Sequence, residues 1–259
     1  MVVISAVVLM PLADLVLGSF ETYHQYVVGA VPRPSTFGNF TTLWGSEGSL
    51  LARWLINSLV VAGTVTLLTL LTVVPAAYVF AKHSTRWHSV VYAVVLFTFF
   101  VPFETTLVPL YQMFNGWSLI NSYPALILPY VGSAFGLFLL RQLLLSFPVE
   151  ILDAAVVDGA SSLKTLRSIV IPNVKPAIAT VGLLTFINTW NDYFWPSLVT
   201  TSGHMRTTVV GLATLLSANF QFPGPILVSA LIAGGPLIII FLIFQRQITD
   251  AIVRSGLQG

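Results

Sequence analysis

Apolar residues in this chain of 259 residues are gathered into long runs that charged residues separate. The clearest run lies between Arg53 and Lys82, where no residue is charged. A helix of about 20 mostly apolar residues crosses a bilayer about 30 Å thick, so this run predicts one membrane-spanning helix. Five further runs resemble it: 2–18, 88–114, 123–140, 177–199 and 225–244. The pattern therefore predicts an all-α, polytopic membrane protein with six transmembrane helices.

The short first run, residues 2–18, permits two interpretations. A cleaved signal peptide carries a basic residue before its apolar stretch and a cleavage site of small residues after it. No basic residue precedes this run, no convincing cleavage site follows it, and Pro11 and Asp14 interrupt it. We therefore expect a first transmembrane helix that has lost some upstream residues.

The basic residues predict how the chain is oriented. Residues 82–87 hold two of the 11 lysines and arginines, residues 141–175 hold four, and the C-terminal segment holds two. The loops of the opposite side hold only Arg33, Arg53 and Arg206. Cytoplasmic loops carry the excess of basic residues. We therefore expect both termini and residues 141–175 to lie in the cytoplasm, and we expect the protein itself to reside in the cell (plasma or inner) membrane.

Composition excludes several function classes. Only 8% of the residues are charged and 56% are hydrophobic, whereas soluble domains carry about 25% charged residues. An ordinary soluble enzyme and a nucleic-acid-binding protein are thereby excluded. The chain has no cysteine, and its four histidines are scattered without metal-ligand spacing. It also lacks the G-x-x-x-x-G-K-S/T pattern that cradles ATP phosphates. We expect no catalytic residue, metal or cofactor on this chain.

Residues 141–176 form the most polar long segment of the predicted cytoplasmic side. Pro148 can begin a helix, Asp158-Gly159 is a turn signal, and Ser161 or Ser162 can cap a second helix. In that second helix Leu163, Leu166, Ile169 and Val170 predict one apolar stripe, and Pro172 is expected to end it. From this pattern alone, an amphipathic hairpin on the lipid surface is an equal alternative.

The spacing in this segment resembles the EAA loop of ABC importer permeases, whose pattern is EAA-x3-G-x9-I-x-LP. Asp153 stands for the Glu and Ile171 for the Leu, while the other positions match. The stretches VPFETTLVPLYQMF, LPYVGSAFGLFLLRQ and FINTWNDYFWP are similar to the maltose-type, carbohydrate-uptake subfamily. The resemblance covers nearly the whole chain, with the first span fitting poorly.

The resemblance implies the type I importer permease fold over residues 1–259 as a single transmembrane domain. It also implies that residues 146–172, the coupling segment, dock on an ATPase subunit. The positions that this resemblance assigns to docking are Asp153, Ala154, Ala155, Asp158, Gly159, Ala160, Ile169 and Pro172.

The resemblance further implies the partners of the chain. They are a second homologous permease, a pair of cytoplasmic ATP-binding subunits, an extracytoplasmic solute-binding protein and membrane lipid, with no nucleic acid among them. ATP and Mg²⁺ would be bound by the ATPase subunits. The substrate would be a sugar or a sugar-like solute, whose identity one chain does not distinguish.

Polar residues inside membrane spans are costly and usually face a cavity or a partner helix. Glu104 follows Pro102 in the third run, where it either lines the pathway or lies at an interface or inside the bundle. Asn188, Asn191, Asp192 and Trp195 would form one stripe if they share a helix, because their spacings are three and four residues. The stripe predicts a translocation surface, and an aromatic belt at the outer interface is an equal alternative.

A secondary transporter or channel subunit for a small polar solute is the main rival function. It would need its own coupling-ion site or pore and could show inverted repeats. The sequence shows neither clearly, and this rival does not require the EAA spacing.

Overall fold

The computed structural model describes residues 2–28, 35–83, 85–219 and 223–256. These residues are mainly helical, as predicted, and no β-strand occurs among them. The α-helices are α1 (Val2–Gly18), α2 (Tyr23–Val28), α3 (Gly38–Lys82), α4 (Arg86–Thr98), α5 (Phe103–Gly116), α6 (Tyr123–Ile127), α7 (Ala134–Leu145), α8 (Val149–Val157), α9 (Ser162–Thr165), α10 (Ile171–Asn191), α11 (Phe194–Val199), α12 (Thr208–Asn219) and α13 (Pro223–Gly256). Two 3₁₀ turns, Leu128–Tyr130 and Gly203–Met205, and a π-helical segment, Leu166–Val170, lie between them.

The chain divides into two compact units. The first comprises Met1–Val60 and Asn191–Ile240, and the second comprises Val61–Trp190 and Phe241–Gly259. The core of the second unit is built from the C-terminal half of α3 together with α7 and the segment from Leu166 through α10. Its buried residues are Val73, Val74, Ala77, Tyr78, Leu137, Leu140, Leu144, Leu166, Val170, Val174, Ala177 and Val181.

The core of the first unit lies where the N-terminal part of α3 meets α12 and α13. Leu43, Leu51 and Trp54 of α3 pack there with apolar residues of α12 and α13. Gly211 of α12 makes the close approach possible, because a Cβ at that position would lie 2.2 Å from the Trp54 ring. Small residues at helix contacts are the usual device for close packing in membranes.

Three helical stretches within the described ranges are long and apolar enough to cross a membrane. They are Leu50–Lys82, Ser162–Asn191 and Gly224–Ile243. Two bent pairs, α4 with α5 and α6 with α7, would raise the number to five if each pair is one span. The described part of α1 holds a shorter apolar helix, Leu9–Gly18. The predicted run 177–199 differs most, because α10 ends at Asn191 and α11 begins at Phe194. The other predicted runs overlap these helices, and the count of six spans stays a prediction.

The third apolar run is broken rather than continuous. α4 and α5 meet at an angle of 95°, and Pro102 precedes α5 with φ −59° and ψ 129°. Proline has no N–H to donate and also disfavours the helical conformation in the residue before it. The break therefore follows from Pro102, and it exposes the aromatic residues at the end of α4.

Candidate functional site

The coupling segment contains the predicted turn between two helices, of which only the first, α8, is short. α8 follows Pro148, and Gly159 adopts a φ of +70°. The N–H of Ala160 donates to the Ala155 carbonyl at 2.9 Å, and the N–H of Gly159 donates to the Val156 carbonyl at 3.0 Å. These two bonds form a Schellman motif, which needs a left-handed residue at the position of Gly159.

The second helix is capped by the predicted serine. The Ser161 hydroxyl oxygen accepts a hydrogen bond from the Lys164 N–H at 3.3 Å. The first N–H groups of a helix have no backbone acceptor within the helix, and the serine side chain supplies one for Lys164. The cap and the Schellman motif together fix the direction in which the chain turns between α8 and α9.

The outer surface of the coupling segment is made of small and apolar residues. Asp153, Ala154, Asp158 and Gly159 are exposed, Ala160 is half-buried and Ala155 is buried. Exposed valines flank these positions, and Val157 retains 86% of its surface. Exposed apolar patches mark surfaces that another protein or the membrane covers.

The inner side of the coupling segment is anchored in the core of the second unit. Leu166 and Val170 are buried there, and Leu152 of α8 packs against the same cluster. The Lys82 ammonium lies 3.4 Å from the Ser162 hydroxyl and 5.6 Å from the centre of the Tyr78 ring. A displacement of the coupling segment would therefore act directly on α3, α7 and α10.

The prediction that Pro172 ends the second helix is wrong. Pro172 is the second residue of α10, and helical structure continues from Ser162 to Asn191 through the π-helical segment just before it. A proline inside a helix removes one backbone donor, and a π segment is a place where the hydrogen-bond register shifts. The Asn173 side-chain amide donates to the Ile169 carbonyl at 2.7 Å. This bond adds a donor next to Pro172, whose backbone has no N–H. The half-buried Ile169 lies within this π segment.

Glu104 lies in the first turn of α5, directly after the break at Pro102, and is exposed. A carboxylate is favoured at this end of a helix because the helix dipole places partial positive charge there. The position thus has a local explanation whether or not the side chain meets solute.

The single polar stripe predicted from Asn188 to Trp195 is wrong, because the helix breaks inside it. α10 ends at Asn191, and Trp195 belongs to α11. The Asp192 carboxylate accepts a hydrogen bond from the Phe194 N–H at 3.1 Å, and such a side-chain bond competes with helix continuation. Asn188 and Asn191 remain exposed on α10, whereas Trp195 is 0% exposed and has no free face for a solute.

Asn188 lines a cavity of about 290 Å³ in the second unit, which we call the Asn188 cavity. Its other polar residues are Ser133 and Thr185, and its aromatic residues are Phe99 and Phe135. The sequence did not single out these four residues. Ser133 could have been found as a helix-capping serine. Its hydroxyl oxygen caps α7 by accepting the Gly136 N–H at 2.9 Å. No periodicity marked the other three, because tertiary packing brings them together.

The family described as "Binding-protein-dependent transport system inner membrane component" matches residues 73–254 of this chain. The arabinooligosaccharides transport system permease protein AraQ of Bacillus subtilis (strain 168) is 31% identical, with 99% of this chain and 92% of AraQ aligned. The lactose transport system permease protein LacG of Rhizobium radiobacter is 30% identical over 95% of this chain and 89% of its own length.

Two more distant comparisons agree with these relatives. The sn-glycerol-3-phosphate permease protein UgpE of Yersinia pestis is 28% identical over 87% of this chain and 82% of its own length. The crystal structure of a bacterial ABC transporter involved in alginate import contains a chain that aligns with a TM-score of 0.82 at 21% identity. This alignment covers 94% of our chain and 92% of that one, so the fold is shared along almost the entire length.

Proposed function

Because the chain belongs to the family of inner membrane components of binding-protein-dependent transport systems, we propose that it imports a sugar or a sugar-like solute as the permease subunit of an ABC importer. The observation that carries the proposal is the similarity along 99% of the chain to a permease of an arabinooligosaccharide transport system. A lactose permease supports the same substrate class. The chain is a multi-pass membrane protein, and its relatives are transport subunits rather than enzymes.

In this proposal the energy for transport comes from a separate pair of ATPase subunits. The surface from Asp153 to Ala160 docks on an ATPase subunit, and Ile169 and Pro172 connect this surface to α10. The buried side of the segment supports this role, since Leu166 and Val170 pack in one core with α3 and α7. ATP and Mg²⁺ are bound by the ATPase subunits, and this chain needs no cofactor of its own.

The remaining partners follow from the same proposal. A second homologous permease completes the translocation pathway, and an extracytoplasmic solute-binding protein delivers the substrate. Residues 1–259 act as one permease domain with both termini in the cytoplasm, as the excess of basic residues in 82–87 and 141–175 supports. Glu104, Asn188, Asn191 and Asp192 are the residues of this chain that we assign to the pathway.

Uptake measurements test this proposal. Cells that lack this gene would be supplied with it, together with its proposed ATPase, second permease and binding protein. Their uptake of radiolabelled arabinotriose, lactose or sn-glycerol-3-phosphate would then be measured. We expect uptake of at least one neutral sugar, and its loss when the phosphate-binding lysine of the ATPase is replaced. Uptake that persists with the inactive ATPase would contradict the proposal and favour a secondary transporter.

A further inference from the structure

The Asn188 cavity combines one aromatic wall with one uncharged polar wall. The aromatic wall consists of Phe99, at the broken end of α4, and Phe135 of α7. Their ring centroids are 6.2 Å apart, and their planes are inclined by 28°. Phe99 remains 59% exposed and Phe135 43% exposed. Both rings line the cavity and keep exposed apolar surface.

The polar wall carries hydrogen-bonding capacity that the chain itself does not use. The Thr185 hydroxyl donates to the Val181 carbonyl at 2.9 Å, which leaves its oxygen lone pairs as acceptors. The Ser133 oxygen accepts from the Gly136 N–H at 2.9 Å, which leaves its own proton as a donor. The Asn188 amide makes no hydrogen bond to any residue that the structure describes. One face thus offers donors and acceptors within a single small cavity.

The charge and the size of the cavity restrict its ligand. None of the residues that line it is charged, so an anionic or cationic ligand would find no counter-charge there. Its volume of about 290 Å³ lies at the small end of ligand sites, which begin at about 300 Å³. A sugar ring has apolar C–H faces that suit aromatic rings and hydroxyl groups that suit amides and hydroxyls.

We propose that the Asn188 cavity is a binding subsite for one neutral sugar ring of the transported solute. The ring lies against Phe99 and Phe135, and its hydroxyl groups bond to Asn188, Ser133 and Thr185. This inference rests on the proposed function and deepens it, because it assigns direct contact with the substrate to this chain. It also replaces Trp195 as the aromatic partner of Asn188.

The neighbouring cavity supplies a matched control. It has a volume of about 300 Å³ and only apolar lining, and Phe138 of α7 belongs to it but not to the Asn188 cavity. Phe138 is 41% exposed, almost the same as Phe135, and lies one helical turn away. Replacing either residue by leucine removes an aromatic face and keeps an apolar side chain. Only the change at Phe135 alters the proposed subsite.

The first experiment measures uptake kinetics of the complete importer with the neutral sugar that the wild-type importer carries. We expect Phe135→Leu and Asn188→Ala each to lower kcat/KM about fivefold, which corresponds to about 1 kcal/mol of lost binding. Phe138→Leu should stay within about twofold of wild type. Equal effects of Phe135→Leu and Phe138→Leu, or no effect of Asn188→Ala, would overturn the subsite while leaving the proposed function intact.

The second experiment needs no transport activity of a variant. The native chain has no cysteine, so Asn188→Cys introduces a single thiol whose reaction with a water-soluble maleimide can be followed in the assembled complex. We expect the same sugar at saturating concentration to slow this reaction, and not to slow it in Phe138→Cys. Equal rates with and without sugar for Asn188→Cys would refute the subsite. If the wild-type importer carries only a charged solute such as sn-glycerol-3-phosphate, the neutral-sugar subsite is refuted while the proposed function stands.

Discussion

Gly159 shows how one residue can serve both the fold and the proposed docking surface. Its φ of +70° closes the Schellman motif, and a Cβ added there would meet no atom of the described chain within 4 Å. A side chain at this position is therefore strained by the backbone but not by a clash within the chain. Any steric clash with a side chain at position 159 would therefore have to come from a partner protein.

This difference gives a prediction at Gly159. Gly159→Asp and Gly159→Asn both add a side chain to the surface, and both residue types tolerate the left-handed conformation better than other residues. We expect both variants to insert into the membrane normally and to lose about tenfold in substrate-stimulated ATP hydrolysis of the assembled importer, or about 1.4 kcal/mol. Normal stimulation in Gly159→Asn would show that docking leaves room at this turn.

Asn57 is a buried polar residue that connects two segments of the first unit. It is 0% exposed, and its amide donates to the carbonyl oxygens of His204 and Arg206 at 2.8 and 2.9 Å. The Trp54 indole N–H donates to the Gly203 carbonyl at 2.6 Å. These bonds hold the segment before α12 against α3.

We therefore predict that Asn57→Ala destabilises the protein. The change leaves two backbone carbonyls with one donor fewer each, and a buried group without its partner costs about 1–3 kcal/mol. The apparent melting temperature of the purified protein in detergent should fall. Asn173→Ala is the matched control, because Asn173 is exposed and its side chain donates to the Ile169 carbonyl on its own helix. A fall as large in Asn173→Ala would contradict this account.

Helix contacts in this protein depend on glycines at particular places. A Cβ at Gly211 of α12 would overlap the Trp54 ring, whereas a Cβ at Gly63 of α3 would meet no described atom within 4 Å. Alanine is favoured over glycine inside a helix by about 1 kcal/mol. The same substitution should thus have opposite effects on stability at the two positions.

We predict that Gly211→Ala lowers the melting temperature of the detergent-purified chain and that Gly63→Ala leaves it unchanged or raises it. The physical reason is that Trp54 and its neighbours would have to move to accept the added methyl group, and tightly packed sites resist such changes. Thermal unfolding followed by tryptophan fluorescence would measure both. An unaltered melting temperature in Gly211→Ala would mean that α12 does not pack against α3 in this way.

The whole molecule is defined by its relation to the membrane. Three to five candidate spans among the described residues and the shorter helix in α1 supply its membrane helices, and the distribution of basic residues predicts the orientation. The coupling segment and the segment before α12 should then lie on opposite sides.

Reporter fusions test the orientation directly. A reporter joined after Ser162 should be active in the cytoplasm, and reporters joined after Asn39 and Gly203 should be active outside it. The positive-inside rule gives the physical reason, since eight of the 11 basic residues lie on the expected cytoplasmic side. One reporter on the opposite side would require a different number of spans.

The sequence alone determined the features that depend on interactions between neighbouring residues. Apolar run length gave the positions of the spans, and turn and cap residues gave α8, the Gly159 turn and the Ser161 cap. These features depend on neighbouring residues and on the solvent, so they can be read along the chain. The resemblance to importer permeases also followed from spacing, and the relatives confirmed it.

Tertiary structure decided the features that depend on distant residues. The continuation of helix past Pro172 depends on burial of Leu166 and Val170 against α3 and α7, which propensity near a proline does not reveal. The break at Asp192 and the burial of Trp195 removed the predicted stripe. The Asn188 cavity joins residues from three separate segments of the chain, to which Phe99, Ser133 and Thr185 belong. Such a site arises only when separate helices pack, because no local pattern encodes which side chains will face one another.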